Sequence, residues 1–223
     1  MIQRETMDTG FTNVKVLIWD FDGTLYKPNR QLWHDVRKAE YKTIARHTHW
    51  PRQKVIAEFE KIYKTITPSA TEAVAYICKM KTEEAALEME TYYDRRPYVS
   101  RDRKLIALFE KLAKFTHFIL ANGVAHRIAE TLAVLGIPKE TFEAIITSEI
   151  VGVNKPHEKG FRYILEKTQL PPATHLMIGD RQGVDLAPAK ALGMKTCLVW
   201  SKTKSVVADI TIPSVYTVSE VLT

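Results

Sequence analysis

At 223 residues the chain is longer than a typical single domain and short for two full-sized ones, which fits one core domain carrying a smaller inserted module. Hydrophobic residues make up 45% and charged residues 26%, a balance that excludes both a disordered chain and a small fold stapled by disulfides. The formal net charge is +6, but Lys and Arg are spread out and alternate with Glu, as through Lys54–Lys64; this argues against a nucleic-acid partner and for a surface that attracts small anions.

The first 13 residues carry Arg4, Glu5 and Asp8 and lack the apolar run of a secretory signal. No stretch approaches the roughly 18–20 apolar residues of a membrane span. The expectation is a cytoplasmic protein with no membrane partner. Val14–Trp19 is short, apolar and β-branched, the form of a buried strand, and it ends abruptly at Asp20-Phe21-Asp22-Gly23-Thr24. Residues 27–98 then break with strand patterning. Leu32, Val36 and Ala39 form one helical stripe and Val55, Phe59, Ile62 and Ile66 another. Pro51 and Pro68 mark breaks, Ser69 and Glu72 have capping-box spacing, and Thr82 before Glu83 and Glu84 marks a third helix start. This segment reads as a small helical bundle inserted after the first strand.

Beyond it, helices and strands alternate. Leu105, Leu108 and Leu112 precede a strand at 117–121, and Ile128, Leu132 and Leu135 follow it, closed by Gly136. A strand at 144–147 leads through a loop to Phe161, Ile164 and Leu165. A strand at 175–178 leads to Leu186, Ala189 and Leu192, closed by Gly193, and strands follow at 195–199 and at 209–212, the last an edge because Pro213 follows. The alternation predicts an α/β fold with a parallel sheet covered by helices on both faces. The two cysteines, Cys78 and Cys197, lie far apart in apolar surroundings and read as reduced, buried thiols.

Open α/β sheets bind ligands beyond the carboxyl ends of their strands, and three of these ends carry charge. Asp20 and Asp22 lie two residues apart at the mouth of the first strand, an arrangement that is costly without a compensating cation; oxygen ligands favour magnesium. The bland alternative is a turn whose aspartates cap a helix. Gly179-Asp180-Arg181-Gln182-Gly183-Val184-Asp185 puts a second acidic end after the strand at 175–178, with a helix N-cap as the alternative for Asp185. Asn154-Lys155-Pro156 supplies a lysine suited to balancing carboxylates and a phosphoryl group. His47, His49 and His117 have no zinc-ligand spacing.

Four segments in order, Asp-Phe-Asp-Gly-Thr-Leu-Tyr (20–26), Ile-Leu-Ala-Asn-Gly (119–123), Gly-Val-Asn-Lys-Pro (152–156) and Gly-Asp-x-x-x-x-Asp (179–185), resemble the motifs of the haloacid dehalogenase (HAD) superfamily of phosphohydrolases. The resemblance covers the chain from Lys15 to its last strand. It implies a Rossmann-like catalytic core at 1–26 and 99–223 with an all-α helical cap at 27–98. It also implies a phosphatase acting on a phosphorylated small molecule, with nucleotides and sugar phosphates the classes considered. On this resemblance Asp20 is the nucleophile that becomes an aspartyl-phosphate, and Asp22 protonates the leaving alcohol and then activates water. Magnesium is held by Asp20, the Asp22 carbonyl and Asp180. Lys155 offsets the charge of Asp20 and of the phosphoryl group, and Asp185 supports the metal shell or Lys155. An aspartate at position 22 favours phosphatase or phosphomutase over dehalogenase chemistry.

One position departs from the family: Ala121 stands where a Thr or Ser hydroxyl usually binds a phosphoryl oxygen, leaving the backbone N–H groups of Asn122 and Gly123 as substrate-binding donors. That departure keeps open a non-catalytic binding or regulatory protein on the same fold, and a sugar phosphomutase would use the same nucleophile. Candidate substrate selectors in the helical segment are Tyr26, Lys27, Trp33, His34, Arg95 and Arg96. The alternatives are a core position for Trp33 and a solvated arginine pair.

Overall fold

The computed structural model describes residues 10–222; the part of the N-terminal reading that falls on residues 1–9 lies outside the described residues. The chain runs β1 (Val16–Trp19), then four helices, α1 (Arg30–Thr48), α2 (Arg52–Thr65), α3 (Ala70–Cys78) and α4 (Thr82–Met89). It continues through α5 (Arg103–Lys111), β2 (Thr116–Leu120), α6 (Ala125–Leu135), β3 (Ala144–Ile146), α7 (Ser148–Val151) and α8 (Lys159–Thr168). Then follow β4 (His175–Gly179), a π-helical turn at Gln182–Leu186, α9 (Ala187–Ala191), β5 (Lys195–Leu198), β6 (Ile210–Thr211) and α10 (Val218–Val221).

The six strands among the described residues pair in parallel in the order β3-β2-β1-β4-β5-β6. Every residue of β1 is buried, because the strand is central and both its faces are covered. Leu17 and Trp19 face one apolar layer with Leu105, Leu108 and Leu132, while Val16 and Ile18 face the other with Phe161, Ile164 and Leu186. The strand order reverses between β1 and β4, so the carboxyl ends of these two strands flank the crevice where such sheets bind ligands. Two short acidic segments 160 residues apart in the chain therefore become neighbours.

Helices α1–α4 pack around an apolar cluster of their own, built from Ile44, Phe59, Ile62, Val74, Ala85 and Met89. Packing against one another lets these amphipathic helices bury their apolar stripes without invading the sheet layers. Ser69 caps α3 by accepting from the Glu72 N–H (3.4 Å), but the Glu72 carboxylate does not complete the box. It accepts instead from Thr67 Oγ1 (2.7 Å) and from the backbone N–H of Asn154 (2.9 Å), which ties α3 to the loop carrying Lys155. α4 starts at Thr82, where the Thr-Glu-Glu segment marks a helix start; Lys81 precedes the helix and donates its N–H to Glu84 (3.0 Å). Cys197 is buried in β5, whereas Cys78, at the end of α3, is only half-buried. No helix among the described residues is long and apolar enough to cross a membrane.

Candidate active site

Asp20 follows β1 directly, and its N–H donates to the Ile178 carbonyl of β4 (2.9 Å), so the sheet itself fixes its backbone. The side chain is buried. Lys155 Nζ donates to Asp20 Oδ1 (2.7 Å) and to Asp185 Oδ1 (2.7 Å), and Thr24 donates its hydroxyl to Asp20 Oδ2 (2.9 Å). Asp185 also accepts from the Arg181 N–H (3.0 Å). The π turn thus directs this carboxylate inward onto Lys155 instead of letting it cap a helix.

Burial alone would raise the Asp20 carboxyl, but Lys155, Arg181 and the Lys155 and Thr24 hydrogen bonds outweigh it and hold the group below the ordinary carboxylate value. Burial lowers Lys155, but Asp185 and Asp20 more than compensate, so it stays charged. Asp185 is raised by burial and by Asp20. Asp180 is pushed up to about 7 by burial and by the charges of Asp20 and Asp185. Three carboxylates therefore meet in one place with negative charge left over.

One oxygen from each of Asp20, Asp180 and Asp185 lies within 4.8 Å of the others, and Asp180 Oδ1 is buried with no hydrogen-bond partner. An orphaned buried carboxylate oxygen is expensive in an apoprotein and is what an oxygen-seeking cation would take up, so the residues fit a divalent metal. Gly23 is required here. Its φ is +93°, and a Cβ on it would lie 2.4 Å from Asp180 Oδ2. The Asp22 carboxylate is not part of this cluster, which leaves only its backbone carbonyl for a metal.

Asp22 is instead gripped from the far end of the helical segment. Arg95 donates from Nε to both Asp22 oxygens (3.0 and 3.1 Å) and from a terminal nitrogen to Oδ2 (2.9 Å); Tyr26 donates its hydroxyl to Oδ1. The other face of the Arg95 guanidinium pairs with Glu90, whose second oxygen accepts from the Val124 N–H beyond β2 (3.2 Å). On the remaining side, the Asn122 side chain brackets the Lys155 backbone, donating to its carbonyl and accepting from its N–H (both 2.8 Å). The backbone N–H groups of Asn122 and Gly123 have no acceptor among the described residues.

Above these groups lies a cavity of about 420 Å³. Asp20, Asp22, Ala121, Asn122 and Arg181 line its floor. Leu32, Trp33, Val36, Arg37 and Glu40 of α1, with Tyr63, Tyr93 and the start of α3, line its walls.

The family model for haloacid dehalogenase-like hydrolases matches residues 14–193. The chain belongs to this family. A glyceraldehyde 3-phosphate phosphatase from Methanocaldococcus jannaschii is 36% identical over 101 residues, 45% of this chain and 43% of the relative. The match thus spans less than half the length of that relative. A HAD phosphatase from Thermococcus onnurineus superposes with a TM-score of 0.66 at 20% identity, covering 94% of this chain and 98% of the other. A 2-haloacid dehalogenase from Pseudomonas syringae pv. Tomato superposes with a TM-score of 0.62, also at 20% identity and the same coverage. Likeness to both a phosphatase and a dehalogenase establishes the HAD fold and leaves the chemistry to the site.

Within this HAD fold the four motif segments converge on one crevice. The substrate selectors fare unevenly. Trp33 and Arg95 line the cavity, Trp33 as a half-exposed wall rather than a core residue. Arg95 is buried on Asp22 and Glu90 rather than solvated. Tyr26 is spent on Asp22, Lys27 lies 4.4 Å over the Trp200 ring, and His34 and Arg96 pair with Asp35 and Asp94. Sequence reasoning missed Arg181, Arg37, Glu40 and Tyr63. Arg181 sits inside the Gly179–Asp185 segment, and Glu40 interrupts the apolar stripe of α1 with a buried charge; both were readable signals.

Proposed function

We propose that this chain is a magnesium-dependent phosphatase that hydrolyses a small phosphate monoester through a phosphoryl-Asp20 intermediate, with residues 27–98 as its cap. The observation that carries this reading is Lys155 Nζ held 2.7 Å from both Asp20 and Asp185, beside the orphaned oxygen of Asp180. Such a floor is poised for a group that brings its own negative charge together with a cation.

In the first step Asp20 attacks phosphorus, the P–O bond to the leaving group breaks, and Asp22 gives that oxygen its proton. In the second, water gives a proton to Asp22 and its oxygen attacks phosphorus; the Asp20–P bond breaks and inorganic phosphate leaves. Lys155 and the Asn122 and Gly123 N–H groups are suited to the phosphoryl oxygens, and Arg181 adds positive charge at the cavity floor. Asp20, Asp180 and the Asp22 carbonyl would hold magnesium, which supplies Lewis-acid withdrawal of charge from the phosphoryl group. Arg95 and Tyr26 orient Asp22, and the helical walls keep bulk water from the intermediate.

A phosphate-release screen with magnesium tests this, starting from short phosphorylated aldehydes and alcohols, such as the substrate named for the archaeal relative, and extending to sugar phosphates and nucleotides. Release that depends on magnesium and is lost in Asp20→Asn is expected. No release from any compound, or equal release by the variant, would sink the reading.

A further inference from the structure

The α1 wall of the cavity carries an ion pair that the catalytic reading does not use. Glu40 is 2% exposed, and Arg37 lies three residues earlier, about one helical turn away, on the cavity-facing side of α1. A terminal Arg37 nitrogen lies 3.0 Å from Glu40 Oε2, an ion pair in which neither atom makes a hydrogen bond. The guanidinium lies 4.5 Å over the Phe59 ring and 3.9 Å from Glu60, which fixes it in place. Paired with each other by charge alone, the two groups keep hydrogen-bonding capacity for a ligand that reaches them.

We propose that Arg37 and Glu40 are the specificity-determining pair for the leaving group, and that they select a neutral, hydroxyl-bearing alcohol over anionic or cationic ones. The proposal rests on the phosphatase reading and narrows its substrate class to phosphorylated polyols and hydroxycarbonyls. A hydroxyl can donate to Glu40 and accept from Arg37 at once. A carboxylate in the same place would satisfy Arg37 but meet the charge of Glu40, and an ammonium would satisfy Glu40 but meet Arg37. An alkyl group would offer neither of them a hydrogen bond, the kind of mismatch by which hydrogen-bonding sites reject analogues. The apolar stretch formed by Leu32, Val36 and Met89 suits a short carbon chain between the two ends.

Calorimetric titration of the Asp20→Asn protein with magnesium at pH 8, where the Glu40 carboxyl is ionised, tests this without turnover, using glycerol 3-phosphate, propyl phosphate, phosphoglycolate and phosphoethanolamine. Glycerol 3-phosphate should bind about 10-fold or more tighter than each of the other three. Adding Glu40→Gln should raise the relative affinity for phosphoglycolate about 10-fold, and adding Arg37→Gln should do the same for phosphoethanolamine. A purely structural pair would weaken all four ligands by one common factor, and that result overturns the proposal. So does equal binding of glycerol 3-phosphate and propyl phosphate, which needs no second substitution, and so does failure of all four to bind. Absent phosphate release with this ranking intact would instead remove only the phosphatase reading.

Discussion

Arg95 closes on Asp22 from 73 residues away, with three hydrogen bonds of 2.9–3.1 Å to one carboxylate. The arginine is 4% exposed and its second partner, Glu90, is equally buried, so the guanidinium joins the end of α4 to the end of β1. Its positive charge is held well above any working pH: burial would lower it, but Asp22, Tyr93 and Glu90 more than compensate. Removing one member of a buried pair leaves the others charged and unpartnered. Arg95→Met should therefore cost about 3 kcal/mol in urea unfolding at pH 7. Arg95→Lys should recover part of the stability and little of the turnover, since an ammonium cannot grip a carboxylate through two parallel N–H bonds. Wild-type stability in Arg95→Met would show that the contact is incidental.

Lys155 stands between two buried carboxylates, so its loss and the gain of a cation should act in opposite directions. Lys155→Met is expected to destabilise the protein by about 3–5 kcal/mol and to lower kcat by roughly 10²-fold or more. Magnesium at about 100 times its Kd should stabilise the wild-type protein by about 2.7 kcal/mol. Asp180→Asn should abolish most of that increment. Thermal unfolding with and without magnesium reads the three stability effects and steady-state phosphate release reads kcat; an increment unchanged in Asp180→Asn would place the cation elsewhere.

The contrast between these two contacts marks what the chain discloses on its own. Strands such as Leu17–Trp19 are readable because burial on both faces demands uninterrupted apolar residues, and the strand ends are readable because charge there is conspicuous. Asp20, Asp180, Asp185 and Lys155 were legible for that reason. Arg95 was visible only as one of two adjacent arginines, and nothing local separates it from Arg96, which pairs with Asp94 at the surface. Glu72 looked like half of a capping box and instead reaches Asn154, 82 residues on. Such partners are set by how the helical group seats on the sheet, a tertiary fact with no periodicity to announce it.

Ala121 lines the cavity floor beside the unpaired Asn122 and Gly123 N–H groups. A hydroxyl at this position would add a third donor aimed at the phosphoryl oxygens. Ala121→Thr should raise kcat about 10-fold or more, because loss of one such donor elsewhere costs about 10²–10³. Ala121→Ser, with less bulk, separates the donor effect from crowding. Unchanged or reduced turnover in both folded variants would show that the site does not use that donor.

Glu40 offers a test by pH. Its carboxyl is pushed up to about 7 from an ordinary 4.5, first by burial and further by Glu60 of α2, against the attraction of Arg37 on its own helix. A folded-state value above the unfolded one means that the folded protein binds the proton more tightly. The favourable contribution is therefore complete below about pH 4.5 and is lost as pH rises through 7. At about 1.4 kcal/mol per unit, the loss by pH 8 amounts to up to about 3 kcal/mol. Glu40→Gln keeps the shape and removes the titration, so its stability relative to wild type should climb between pH 4.5 and 7 and then level off. Urea unfolding at several pH values measures the difference directly, with effects common to both proteins cancelling. If the wild type instead gains on the variant as pH rises, the attraction of Arg37 outweighs burial and the carboxyl is ionised throughout.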